Sequence, residues 1–399
     1  MGRLGQIFNQ ELKELDWKRN KWAILFGVIA ISPAIGAIPN TQPLYYATLF
    51  LLVVWLFRFV SNVSLDMLGF LVICCLSILF AQPDAMFQSW KRLGLFFLIA
   101  FSASPLFQST KLREFRFVVL TTMIKLCVIV SVLSFFCYFL GINYMTDTYD
   151  IGYQNKSSLF GGLTRQSMLL GPMSGVAMIY CGYRGLVTKS YWYWIAVVCC
   201  SACVLFSSSR AAFLASILGL LFCFYQFSST KTKFIKNVLR VFVFGTIIFT
   251  LWDSPLDGLL SKHAGNVEMG SATASRDAKW ENRLSEFYSS PILGVGFAAC
   301  DREHVDDYSP YTGTVEPGSS WLAVLSMTGI LGFISFCVIV FRAIVRAWRR
   351  KSREASLLLG IIAFISFHML AEGYIVAGGS QFCIIAWLVV SCCYDLYYS

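Results

Sequence analysis

The residues best suited to chemistry in this sequence are arginines at the ends of apolar runs. Arg210 stands in Ser207-Ser208-Ser209-Arg210-Ala211-Ala212, between two such runs. A guanidinium at a membrane boundary is costly unless it is solvated or paired. Serine hydroxyls beside a helix N-terminus make a ready anion site, so Ser209 and Arg210 read as one unit. Arg165, in Gly161-Gly162-Leu163-Thr164-Arg165-Gln166, sits at another helix entrance. Arg276 and Arg283 lie on one side of an amphipathic segment further along. Against these readings stand simpler ones, an Arg210 that snorkels to lipid headgroups and a solvated face for Arg276 and Arg283. Several arginines converging on one face of a helical bundle suit a phosphate or pyrophosphate, whose oxygens match the guanidinium fork.

Other chemistries find no support. The chain has no P-loop, no HExxH and no GxSxG, and its three histidines are scattered. His304 lies in an acidic run and reads as solvated, while His368 lies within an apolar run and reads as a hydrogen-bonded bundle residue. Of 14 cysteines, only Cys300 falls clearly in a long connection. The adjacent pairs at 74–75, 199–200 and 392–393 lack metal-ligand spacing and read as packing. Neither a metal nor a cofactor is expected, and the basic excess is not read as nucleic-acid binding.

The elements that must position the arginines are apolar helices. Of 399 residues, 57% are hydrophobic and 14% charged, with a mean hydropathy of +0.65. Soluble domains carry about 25% charged residues, which excludes a water-soluble enzyme and a disordered chain. The apolar runs approach the roughly 20 residues of a membrane helix, not the ten-residue alternation of a membrane barrel. Twelve spans are predicted, at 22–38, 43–60, 65–81, 93–107, 117–140, 167–183, 191–208, 211–227, 238–252, 320–341, 355–371 and 381–396. The fold class is therefore an all-α polytopic membrane protein with about 12 transmembrane helices.

The net charge of +10 is sorted by this topology. With the N-terminus in the cytoplasm, about two thirds of the 32 basic residues fall in inside segments, as positive-inside loops require. Met1 to Lys21 is charged and is not read as a cleavable signal peptide. The organisation is then residues 1–252 as helices one to nine, 253–319 as a large outer loop, and 320–399 as helices ten to twelve with a cytoplasmic C-terminus. The outer loop holds half of the 22 acidic residues. It is predicted to be partly helical, with Ser275 as N-cap and Asp277 in the first turn. Trp280, Leu284, Phe287 and Tyr288 would form its apolar face. Arg165, Arg210, Arg276 and Arg283 all defy the positive-inside bias.

In this order and on this face, the motifs resemble the O-antigen ligase and polymerase family of bacterial envelope proteins. Ser209-Arg210-Ala211-Ala212 is similar to the family's helix-opening Ser-Arg motif. Arg276-Asp277-Ala278-Lys279-Trp280 followed by Ser290-Pro291-Ile292-Leu293-Gly294-Val295-Gly296-Phe297 resembles the family's large-loop run. Ser319-Ser320-Trp321-Leu322, ending in Thr328-Gly329-Ile330-Leu331-Gly332, is similar to its re-entry helix. Gly162 to Gly175 resembles, more weakly, the helix entrance before them.

The resemblance implies a metal-independent membrane glycosyltransferase of GT-C-like architecture, in the bacterial inner membrane with its active site on the periplasmic face. Its donor would be an undecaprenyl-pyrophosphate-linked oligosaccharide in the membrane lipid, with a chain-length regulator as a further partner. Arg210 and Arg276 match the arginines that engage the pyrophosphate, with Arg283, Arg165 and Ser209 in support. An acceptor hydroxyl would attack the anomeric carbon and invert it. One departure separates this chain from the ligases: their histidine before the re-entry helix falls on Gly318, in Glu316-Pro317-Gly318-Ser319-Ser320. Glu316 is the nearest substitute base, since a low-dielectric cleft can raise a carboxylate's pKa; Glu372 is a second candidate. The expectation is a polysaccharide repeat-unit polymerase, with the ligase to lipid A core and a transporter or flippase of lipid-linked glycan as alternatives.

Overall fold

The computed structural model describes residues 17–81, 89–145, 160–251, 260, 264–265, 267–268, 270–271, 273–301, 308–309, 314–315 and 317–396. Among these, the helices in chain order are α1 (Trp17–Ile31), α2 (Gln42–Phe57), α3 (Leu65–Leu79), α4 (Ser89–Ala103), α5 (Thr110–Phe139), α6 (Ser167–Thr188), α7 (Tyr191–Phe206), α8 (Arg210–Phe227), α9 (Lys231–Leu251), α10 (Ala274–Ser289), α11 (Ser320–Arg349), α12 (Arg353–His368) and α13 (Gln381–Asp395). Every apolar run predicted as a span falls on a helix, and α10 lies in the long connection. Two antiparallel ladders are short, Asn62–Val63 with Phe107–Gln108 and Tyr308–Ser309 with Thr314–Val315. Among the described residues, α5, α8 and α11 are long and apolar enough to cross a bilayer, and five further apolar helices are shorter.

The chain forms two compact units. The first comprises Met1–Thr48, Arg113–Lys262 and Ala347–Phe364; the second comprises Leu49–Leu112, His263–Arg346 and Ile365–Ser399. The first is organised around α6, α7 and α8. Small residues let these backbones approach, as they do wherever lipid-like surroundings leave packing as the main attraction between helices. A side chain at Gly171 of α6 would meet Ser207 Oγ at 2.6 Å, and one at Gly182 would meet Leu220 of α8 at 2.9 Å. One at Gly219 of α8 would meet the Gly360 carbonyl oxygen of α12 at 2.7 Å. Hydroxyls join a further pair of helices: Ser131 of α5 and Ser174 of α6 share a buried hydrogen bond of 2.9 Å.

The second unit has an aromatic core instead. Phe70 packs on Phe336 with centroids 5.9 Å apart, and Phe96 packs on Trp387 at 5.8 Å and Phe297 at 5.4 Å. All five rings are fully buried. Phe297 follows α10, so this core also anchors the long connection. Its N–H donates to Ser77 Oγ of α3 at 3.0 Å, and Arg92 of α4 donates to the Ala298 carbonyl at 3.2 Å.

Candidate functional site

In the first unit, the site residues gather where α6 and α8 begin. Ser209 is the N-cap of α8, and its Oγ accepts from the Ala212 N–H at 3.3 Å. Arg210 is the first helical residue and is half-buried. The turn before it is tight: Ser208 has φ +52, a left-handed conformation rare for a side chain, and Ser207 Oγ bonds the Val204 carbonyl at 2.7 Å. Gly171, one turn into α6, leaves the space that Ser207, Ser209 and Ala212 fill. Arg165 precedes α6 at the same end. Its backbone N–H bonds the Ala34 carbonyl, its guanidinium donates to the Ile38 carbonyl at 3.0 Å, and the neighbouring Thr164 bridges to Ile35. The structure therefore brings Arg165, Ser209 and Arg210 to one end of this unit, with Arg165 bonded to the chain after α1.

In the second unit, α10 carries two arginines with different partners. Arg276 reaches Glu372, in the connection between α12 and α13, through a 2.6 Å ion pair whose side chains are 18% and 16% exposed. Arg283 pairs with Glu286 at 2.8 Å, with side chains 2% and 0% exposed. The other Glu286 oxygen accepts the Asp301 N–H at 3.0 Å. Arg283 is thus built into the underside of α10, while Arg276 lies at a solvent-reachable edge.

The neighbouring motifs hold this arrangement together. Gly294, at φ +74, crosses the backbone of α11 where Gly329, at φ +62, interrupts the helix. Any side chain at Gly294 would collide with Met327 and Ser326 backbone, and one at Gly329 with Ile292 backbone. Val295 donates to the Ser326 carbonyl at 2.9 Å and Ile330 to the Pro291 carbonyl at 2.8 Å. The loop run and the re-entry helix signature are therefore one interlocked structure. At the start of α11, Ser320 Oγ donates to the Glu372 carbonyl at 2.7 Å and accepts the Tyr374 N–H at 3.0 Å. Ser319 Oγ donates to the Met369 carbonyl at 3.1 Å. The serines that open α11 thus fix the strand of chain that presents Glu372 to Arg276.

Four expectations from sequence meet specific outcomes. The helix of the long connection begins at Ala274 with Thr273 as N-cap, two residues before Ser275. Asp277 does occupy the first turn, where the Ser271 hydroxyl donates to its carboxylate; this and the Thr273 hydroxyl hold its pKa below the usual carboxylate value. Of the apolar face, Trp280, Leu284 and Phe287 are half-buried and Tyr288 is 73% exposed, while Arg283 and Glu286 beside them are buried. A charged pair that satisfies itself can face inward, which apolar periodicity does not register. Glu316 lies outside the described residues.

Position 318, where the ligases carry histidine, has a backbone reason to be glycine. Gly318 has φ +68, and a Cβ there would sit 2.7 Å from the Lys279 Cβ on α10. Its carbonyl accepts the Trp280 indole N–H at 3.2 Å. This packing of α10 against the entrance of α11 fills the space a side chain would need. Cys300, buried at 1% exposure beside Arg283, has its thiol pushed up to about 11 by that burial. Among the described residues, no three His, Cys, Asp or Glu side chains cluster closely enough to hold a metal ion.

Apolar helices long enough to cross a bilayer, arginines at helix ends and a helical connection between spans define a helical membrane protein. Residues 195–337 match the O-antigen ligase family, a stretch that takes in Arg210, Arg276, Arg283 and both interlocked motifs. Over that stretch, 143 of 399 residues, the chain is similar to the O-antigen ligase family. No curated protein matches the chain.

Proposed function

We propose that this protein is a repeat-unit polymerase of envelope polysaccharide, a metal-independent glycosyltransferase with twelve spans and a GT-C-like architecture. It takes a growing glycan from an undecaprenyl-pyrophosphate donor and passes it to a lipid-linked acceptor at the periplasmic face of the inner membrane, alongside a chain-length regulator. The observation that carries this reading is Arg276: a guanidinium at a solvent-reachable edge, inside the family match, held ready by a carboxylate 2.6 Å away. A donor pyrophosphate would replace that carboxylate as its partner, since both present paired oxygens to the guanidinium fork.

Arg210, on the capped start of α8, is the second pyrophosphate ligand, with Ser209 and Arg165 shaping its helix end. Guanidinium groups so placed stabilise the charge that develops on the departing pyrophosphate. Arg283 supports the site from beneath through its pair with Glu286. Glu316 is the proposed base that takes the acceptor's hydroxyl proton, and Glu372, once displaced from Arg276, is the second candidate. Polymerase is favoured over ligase by position 318, where the left-handed glycine and the packed Lys279 stand in place of the ligases' histidine.

Purified protein given a lipid-linked oligosaccharide is expected to lengthen the glycan and release undecaprenyl pyrophosphate. Arg210→Ala and Arg276→Ala should each lower the rate by about 100-fold or more, the scale of losing a charge-stabilising donor, with protein levels intact. Unchanged rates in both variants would refute the pyrophosphate assignment. Disrupting the gene should leave single repeat units on the envelope; a bare core with accumulated lipid-linked polymer would instead identify a ligase.

A further inference from the structure

The first unit contains a cavity at the end of α8 opposite Arg210. Its volume is about 520 Å³, within the range of small-molecule sites. Eighteen residues of α8 separate the two ends, roughly 26 Å at 1.5 Å per residue, so the cavity is distinct from the proposed active site. It lies between the C-terminal end of α6, α7, the end of α8 and the first turns of α9.

Its lining carries four cations and no carboxylate: Lys189 beyond α6, and Lys233, Lys236 and Arg240 on α9. Among the described residues, none of the four forms an ion pair. All four are exposed and come from two elements, so an anion can reach them from solvent while water screens their mutual repulsion. The polar remainder suits an anion as well. Ser229 Oγ accepts from Lys233 Nζ at 3.0 Å, leaving its own proton to donate. Asn237 donates to Ser228 Oγ at 3.2 Å and accepts from Arg240 at 3.0 Å, which aims the guanidinium. Thr230 caps α9 by accepting the Lys233 N–H at 3.3 Å, so the positive end of that helix dipole also faces this region. Trp194 and Phe227 supply an apolar wall.

Four cations with no ion pair among the described residues, over hydroxyl donors and beside an aromatic wall at a bundle end, match a phosphate ester joined to an apolar body. The positive-inside reading puts this end at the cytoplasmic leaflet, where acidic headgroups concentrate. We propose that the cavity binds a phosphate ester, with the headgroup of an anionic membrane lipid as its source. The proposal does not depend on the glycosyltransferase reading.

The test uses full-length protein in neutral detergent, with dioctanoyl phosphatidylglycerol as probe, followed by native mass spectrometry. The probe should bind, and dioctanoyl phosphatidylcholine should not displace it. Lys236→Gln with Arg240→Gln should weaken binding by about 10–30-fold, as expected for two cations near an acidic headgroup, while Lys236→Arg retains it. Lys189→Gln, on a separate element, should weaken binding without touching α9, which guards against misfolding of that helix. Displacement by millimolar inorganic phosphate would assign the anion site to a soluble phosphate; resistance to it assigns the site to lipid. Equal binding by wild type and the double variant, with both folded, would overturn the proposal, as would equal binding of the phosphatidylcholine.

Discussion

The two units present their arginines by different physical means. In the first, Arg210 is placed by shape: glycines on α6 and α8 admit neighbouring backbones, and a serine cap ends the turn before the helix. In the second, Arg276 and Arg283 sit on α10, a helix in a long connection, and each is held by a carboxylate. The difference follows from what surrounds each helix. A helix among apolar helices can be fixed by close contact alone, because each small residue removes an obstacle to packing. A mostly polar helix between spans has little apolar surface to offer, so charge pairs and backbone hydrogen bonds set its position.

The largest effect should come from removing a buried charge in the second unit. Arg283→Met is expected to cost about 3–5 kcal/mol, because buried Glu286 would lose its guanidinium partner. The double variant with Glu286→Met should recover much of that loss, less the Asp301 N–H that loses its acceptor. Thermal unfolding in detergent checks both. If the double variant also regains the proposed glycosyl-transfer activity, Arg283 acts by positioning α10; if stability returns without activity, Arg283 meets the substrate.

Next come the glycines that distinguish the two packings. Gly175→Leu would push into Ser216 and Phe364 and should cost about 1–3 kcal/mol by overpacking. Gly318→His should cost a similar amount, roughly 1–3 kcal/mol, from a left-handed backbone bearing a side chain. It should also fail to confer ligase activity, since the new ring has no room beside Lys279. A fully stable Gly318→His would remove the backbone argument for the missing histidine.

Smaller effects should follow from the cap and the thiol. Ser209→Ala should cost about 0.5–1 kcal/mol, at the low end for an N-cap because its hydrogen bond is 3.3 Å long. Cys300 tests the second unit's burial from another direction. Its pKa of about 11 keeps it a thiol in the fold, whereas the unfolded chain ionises it near the ordinary value. The folded state therefore holds more protons between those two pH values, and stability falls as pH rises through that window. Slow alkylation of Cys300 at pH 8, rising sharply on unfolding, is expected; rapid labelling of the folded protein would show that the loop opens.

Much of the helical framework was legible because an apolar run near twenty residues has few other uses. The start of α8 was legible too, since three serines before an arginine and small residues supply a cap and little else. The long connection was harder. Its N-cap is Thr273, two residues before the expected Ser275; Ser271 and Thr273 both bond the Asp277 carboxylate, and the sequence gives no ranking among three hydroxyls. The burial of Arg283 beside that apolar face left no signal, because only its pairing with Glu286 lets a charge sit inside. The interlock of Gly294 with Gly329 left only glycines in the sequence, as contacts between backbones record no side-chain type. The pairing of Arg276 with Glu372 joins residues 96 positions apart and left no local signal.

That interlock makes residues 290–297 and 326–331 a single cassette. Neither half has a side chain to adjust at the crossing, so neither can be exchanged for a foreign sequence on its own. A graft that moved the long connection between two such proteins while leaving the host's own α11 break in place would join mismatched halves. Chimeras cut outside both segments should fold, whereas cuts between them should yield aggregated protein.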